Sequence, residues 1–376
     1  MTTKYWRSGS VSWITAASWS TIDGGVAPTG NTTVPTAADD VVFNVDASIT
    51  TAGGVCLSMT VNSTVTMSGA GATTASGDVN IYGVLDQTSA SGALIMIGGS
   101  TSRIYQAGGT LHKLTITKTA GQTFRVDSAL NVNLVSTTST LTYTGGIFDF
   151  NGQTVTCCVF QSPSGTRSWN QSGDLYITGT SATVLNMIQT SLTVTDRTGW
   201  VRVVGSGAAT VSVSATASLA QALQLSCENG YNYTVNGSFY NFNLNGIALS
   251  GTVTVYNDFT GTGNNCPALN LIYSNSSAGQ TREFYWPGTL LSVSFTPGTG
   301  TGNIYNINYL RTTTITASTT LQTYNFIDVS VTGSITCAGL DSIYDFTSVY
   351  LTTGTLTCSG GRAIYYFGTI RITTGI

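Results

Sequence analysis

One four-residue phrase decides the fold: Ile304-Tyr305-Asn306-Ile307 returns as Thr323-Tyr324-Asn325-Phe326, as Ile343-Tyr344-Asp345-Phe346 and as Ile364-Tyr365-Tyr366-Phe367, each copy about 20 residues after the last. The residues behind the phrase repeat as well. Val331-Thr332-Gly333, Leu351-Thr352-Thr353-Gly354 and Ile372-Thr373-Thr374-Gly375 each close a strand-like run on a glycine, and Ser334-Ile335-Thr336-Cys337 aligns with Thr355-Leu356-Thr357-Cys358. Short strands rich in Val, Ile, Thr and Tyr that recur at such a period with glycine corners are the signature of stacked solenoid coils. Looser copies lie upstream at Phe239-Tyr240-Asn241-Phe242, Phe284-Tyr285-Trp286, Leu111-His112-Lys113-Leu114-Thr115-Ile116 and Ile147-Phe148-Asp149-Phe150.

Composition agrees with an all-β chain. Of 376 residues, 66 are Thr and 43 are Gly, while Glu occurs twice and Lys three times, which removes the strong helix formers and leaves the strand formers. The reading is a parallel β-solenoid, or β-helix, with coils of about 20 residues, and about 16 coils would fit the chain beyond its first segment. Alternate side chains point inward and stack on the next coil, so Ile, Val, Phe and Cys form a core that no single coil could bury. Residues 1–46 read as an aromatic capping or attachment segment, 47–300 as an irregular solenoid and 301–376 as regular repeats. Trp6, Trp13 and Trp19 lie in the first segment, where an exposed sheet edge needs covering. The C-terminal run ends in mid-coil and is expected to need a partner, a symmetry mate or a following segment. Asn-Gly pairs at Asn151-Gly152, Asn229-Gly230, Asn236-Gly237 and Asn245-Gly246 suit tight corners or hairpins. Two antiparallel sandwich domains are the alternative architecture.

Only 8% of the residues are charged and the net charge is −3, so hydroxyls rather than charges wet the surface and no basic patch awaits nucleic acid. No apolar stretch reaches the roughly 20 residues of a membrane helix. The opening Met1 to Trp6 has no continuous apolar core of a secretory signal, which sets the expectation of a chain made in a cytoplasm. Seven scattered cysteines read as buried free thiols rather than a disulfide framework. Cys157 and Cys158 are adjacent and would point to opposite faces, and with His112 the single histidine no two-His zinc site is available. No cofactor or metal is expected.

Glycoside cleavage needs two facing carboxyl groups. The candidates are Glu228, Glu283 and the group Asp328, Asp341 and Asp345, with Asp39-Asp40 near the front. Asp345 replaces the Asn of the repeated phrase and reads as a turn residue, and Asp39-Asp40 reads as loop hydrogen bonding. His112 shares a strand face with Leu114 and Ile116, which places it on the core side, and no nucleophile elbow accompanies it. The run Pro297 to Gly302 is turn material. Tyr305, Tyr324, Tyr344 and Tyr365 recur in register and predict one ladder, facing the core or a subunit interface, with glycan stacking as the alternative.

The opening Tyr5-Trp6-Arg7-Ser8-Gly9, with Ala17-Ser18-Trp19-Ser20, Gly24-Gly25 and Val34-Pro35-Thr36-Ala37-Ala38-Asp39-Asp40-Val41-Val42-Phe43, resembles a segment found at the start of β-solenoid proteins of tailed bacteriophages and in bacterial surface adhesins. Gly145-Gly146-Ile147-Phe148-Asp149-Phe150-Asn151-Gly152-Gln153-Thr154-Val155 looks like the coil phrase of those proteins. The resemblance covers about the first 50 residues well and the rest only in style. It implies a virion appendage, meaning tail fibre, tailspike or head fibre, and the first reading is a non-enzymatic tail fibre or host-recognition appendage located on the virion. That role would bring attachment to other virion proteins through the N-terminal segment, a homotrimeric assembly and a host surface glycan as ligand. Head fibre or capsid decoration, polysaccharide depolymerase and self-associating surface filament are the alternatives.

Overall fold

A computed structural model of the chain is 63% strand and 2% helix, with stacked parallel coils that make a β-solenoid of about 12 turns spaced about 21 residues apart. Outside the residues it describes lie 1, 8–11, 24–32, 50–53, 70, 87–91, 134, 136, 206–208, 214–218, 229–231, 245–247, 256–258, 262–265, 275–280, 286–288, 297–300, 309, 318–319 and 375–376. Trp286, the first four residues of the run at 297–302 and two of the four Asn-Gly pairs fall there. Two compact units divide the chain, Met1–Ser206 and Gly207–Ile376.

In the N-terminal unit, the strands Asp40–Phe43, Ser58–Val61, Val79–Asp86, Ser102–Thr110, Thr123–Val126 and Thr140–Asp149 pair side by side in parallel. Alternation along each strand sends every second residue inward, and register stacks those residues into columns. Val41, Met59, Val79, Ile104 and Val126 form one such column, all of them fully buried. Phe124, Phe148 and Trp169 form another, with ring centroids 5.8 and 6.2 Å apart along it. Each buried side chain of this size contributes about 1.5–3 kcal/mol relative to exposure, and it does so only because a neighbouring coil covers it.

Two of the buried cations of this unit serve its corners. Lys118 is 3% exposed and donates to the carbonyls of Ser76 and Ile97, so one ammonium ties together the ends of two preceding coils. Arg167 is 1% exposed and donates to the carbonyls of Ser162, Gly165, Ile188 and Thr190. Buried backbone acceptors at a corner need such donors, since no strand partner reaches them there.

In the C-terminal unit the strands carrying the repeated phrase, Ile304–Asn308, Thr323–Phe326, Ile343–Thr353 and Ile364–Thr374, pair in parallel with every copy in register. Cys337 pairs with Cys358, as their matched positions in the repeat require. The closing glycines are explained by proximity at the corner. A Cβ on Gly354, which has φ +131°, would overlap the carbonyl oxygen of Gly333 on the coil before it.

Among the described residues the single antiparallel pairing joins Thr3–Trp6 to Trp19–Ser20, which rules out the sandwich alternative. Asn151 and Gly152 make a left-handed corner, with φ of 51° and 71°, rather than a hairpin. The turn count of about 12 falls short of the roughly 16 expected, although the mean spacing of about 21 residues matches the period read from the repeats, and coil length varies along the chain. Thr117 and Thr144, bonded across one coil, are 27 residues apart, whereas Asn306 and Asn325 are 19 apart.

Candidate functional site

The tyrosine ladder lies inside the solenoid. Tyr305, Tyr324 and Tyr344 are at most 1% exposed, and the rings from Tyr305 to Tyr365 stack at a constant 5.2 Å. Phe326, Phe346 and Phe367 stack beside them at 5.0 and 5.4 Å. Rings this deeply buried have no face to offer a sugar, so the glycan alternative fails for Tyr305, Tyr324 and Tyr344. Tyr365 belongs to the same stack and is half-buried.

The tryptophans of the first segment are also core. Trp6, Trp13 and Trp19 are at most 2% exposed and surround Phe43, with centroids 5.6, 5.9 and 5.8 Å from it. Trp19 Nε1 donates to the Trp13 carbonyl at 2.8 Å. Thr3–Trp6 pairs in parallel with Asp40–Phe43, so the segment supplies a strand above the first coil and fills the space beneath it with indoles. These three rings are spent on the chain's own fold; an attachment surface here would have to use other members of residues 1–46.

The acidic candidates are held apart by their own partners. Asp328 pairs with Arg311 at 3.4 Å and Asp341 with Arg362 at 2.7 Å, while Asp345 accepts from Thr347 Oγ1 at 3.4 Å. Glu228 accepts from Ser226 Oγ at 3.0 Å, and the Glu283 side chain lies outside the described residues. Asp39 accepts from the N–H and hydroxyl of Thr36 at 3.0 and 2.9 Å. Burial pushes its pKa up, and these bonds together with Lys4 outweigh that and hold it below the usual carboxylate value. Asp40 accepts from Ser58 Oγ at 2.5 Å.

His112 is fully buried, with Nε2 3.0 Å from Thr138 Oγ1, and burial holds its pKa down. Cys56, Cys157, Cys158, Cys227 and Cys337 are buried free thiols; the Cys266 side chain lies outside the described residues and Cys358 is exposed. Burial drives the thiols upward, Cys56 to about 12, so thiolate chemistry is suppressed at neutral pH. Among the described residues no three His, Cys, Asp or Glu side chains come together as a metal site.

What the structure does bring together is a polar strip on the outside of the N-terminal unit. Register places Arg103 beside Arg125, Arg125 beside Asp149 and Asp149 beside Asn170 on consecutive coils, each facing outward. Asp78 precedes them: it accepts from the Arg103 N–H and Nε, each at 3.0 Å. Asp127 bridges the two arginines, 3.7 Å from Arg103 Nη1 and 2.6 Å from Arg125 Nε. Asn170 Nδ2 donates to Asp149 at 2.7 Å. Asp127 bonded to Arg125 raises the guanidinium pKa further. A groove of about 480 Å³ runs between these groups.

The sequence carried a faint signal for the strip. Asp78, Arg103, Arg125 and Asp149 recur once per coil in a chain that holds only 13 Lys and Arg, so their spacing tracks the coil length where the apolar phrase is too degenerate to follow. No family model, curated protein or solved structure matches the chain.

Proposed function

We propose that the chain is a structural, non-enzymatic component of a bacteriophage virion, a β-solenoid appendage of the tail-fibre or host-recognition type. The observation that carries the reading is the coincidence of resemblance and architecture. The residues that resemble the start of phage solenoid proteins, Tyr5, Trp6, Trp19 and the run up to Phe43, are those that build the aromatic plug over the first coil. Behind the plug follow coils whose apolar residues mostly stack inward, with exposed exceptions such as Tyr82, Leu321 and Phe367, and whose outward positions are rich in uncharged hydroxyls. Such a surface resists the non-specific association that large charged or apolar patches invite.

The test is composition of particles. Phage particles from a lysate in which the chain is expressed are purified through a density gradient and digested for mass spectrometry. Peptides of the chain are expected in the particle band at constant ratio to the major capsid protein. Peptides confined to the soluble lysate overturn the reading. Light scattering on the purified protein then gives the assembly, for which a trimer is expected.

A further inference from the structure

We infer that the outward strip of the N-terminal unit around Asp78, Arg103, Tyr105, Arg125 and Asp149 is a binding site for a neutral saccharide. The inference stands on the geometry of this face and is independent of a virion location. The groove is of the size that small-ligand sites have, and its lining is polar: Asp78, Ser102, Arg103, Thr123, Arg125 and Asp149 all border it.

Two features narrow the ligand class. First, the charges nearly balance, two guanidinium groups against Asp78, Asp127 and Asp149, so the face offers hydrogen-bond donors and acceptors without a net field for a cation or a phosphate backbone. The ion pairs lock these groups in place while leaving them wet, with Arg103 51% and Arg125 43% exposed, so little side-chain entropy is lost on binding. Vicinal hydroxyls are matched by such paired donors and acceptors.

Second, an aromatic platform adjoins the polar groups. Tyr105 lies two residues along the same strand face from Arg103, about 7 Å away. Its ring meets that of Tyr82, 49% exposed, with centroids 5.3 Å apart. This pair contributes nothing to the stacked core. The negative face of an exposed phenol attracts the polarised C–H bonds on the flat side of a pyranose, while the hydroxyls at the ring's rim reach the charged groups.

The test uses the purified full chain on an array of neutral oligosaccharides of two to six hexose or hexosamine units, followed by calorimetry with the strongest binder. At least one array member is expected to bind, and Tyr105→Ala and Arg125→Ala are each expected to weaken it at least tenfold with far-UV circular dichroism unchanged. Tyr366→Ala, an exposed aromatic of the other unit, is the control and should leave affinity within twofold. Array-wide absence of binding overturns the inference. So does equal loss in Tyr105→Ala and Tyr366→Ala, which would mark a general surface effect, and so does binding of charged peptides at equal affinity.

Discussion

Tyr344→Phe isolates one atom of the ladder. The Tyr344 hydroxyl accepts from the Gly339 N–H at 2.8 Å and donates to the Ala317 carbonyl at 2.8 Å, bridging a corner to the preceding coil. Phenylalanine keeps the ring and its stacking on Tyr324 and Tyr365, so only the hydroxyl is lost. The Ala317 carbonyl retains a second donor, the Ala338 N–H at 3.0 Å, which leaves the Gly339 N–H as the one orphan. Gly339 is buried, so water does not replace the bond, and an unsatisfied buried donor costs about 1–3 kcal/mol. An expectation of about 2 kcal/mol corresponds to roughly 30-fold faster local opening. Tyr365→Phe is the internal comparison: the same two bonds are longer, 3.1 Å from Gly360 and 3.3 Å to the Cys337 carbonyl, and both Tyr365 and Gly360 are half-buried. Water substitutes there, and the loss should stay near about 0.5 kcal/mol, roughly twofold. Native-state hydrogen exchange across residues 335–345 and 356–366 reads both effects locally. Global unfolding is the poorer assay, because stacked repeats need not melt as one unit. Equal exchange in the two variants, or no change in Tyr344→Phe, refutes the reasoning.

Three further outcomes follow from packing and charge. Phe346→Ala empties a fully buried position between Phe326 and Phe367 and should destabilise its unit by about 3–5 kcal/mol, whereas Tyr366→Ala should stay within about 0.5 kcal/mol; urea midpoints compare them. A Cβ at Gly54 would overlap the Trp13 indole, so Gly54→Ala should displace that ring at a cost of about 1–3 kcal/mol, seen as stronger acrylamide quenching of tryptophan fluorescence. Lys118 is held down to about 8 by burial, against the opposing pull of Asp78, while the unfolded chain keeps its ordinary value of 10.5. Between those values the unfolded state binds the additional proton, so this residue's contribution to stability rises with pH through the window and is flat below it. Buried thiols and tyrosines with raised values act in the opposite sense, so the readout is the difference between the native chain and Lys118→Met across a pH series that spans the window. A difference curve that stays level or falls overturns the buried-ammonium reading.

The C-terminal coils were legible because their repeat is written in the side chains that stack. A Tyr over a Tyr and a Phe over a Phe must recur at the coil length, and corner glycines must recur wherever backbones meet, as Gly333 and Gly354 do. In the N-terminal unit any apolar residue suits an inward column, so Val41, Met59, Val79, Ile104 and Val126 stack without resembling one another. Coil length there varies as well, since corners such as that held by Lys118 absorb insertions. The same permissiveness hid the tryptophans' role: three indoles in a short segment signal burial or display equally, and only the approach of Gly54 to Trp13 and of Phe43 to all three distinguishes them.

The polar strip shows why function is harder to read than fold in a chain of this kind. Arg103 has its partners in Asp78, one coil before it, and in Asp127, one coil after it, and each segment taken alone is an ordinary charged residue on a hydroxyl-rich strand. A solenoid converts sequence separation into lateral adjacency at one coil per step, so a surface site is spelled once per coil with unrelated letters. Its members are free to differ because outward positions bear no stacking constraint. Charges placed there at random would be scattered; here Asp78, Arg103, Arg125, Asp127 and Asp149 share one face, with the half-buried Tyr105 and the exposed Tyr82 beside them. Surface ion pairs contribute at most about 1 kcal/mol each to stability, which is little reason to gather them on one face. A row of fixed donors and acceptors that a ligand can reach gives the arrangement a use that stability does not.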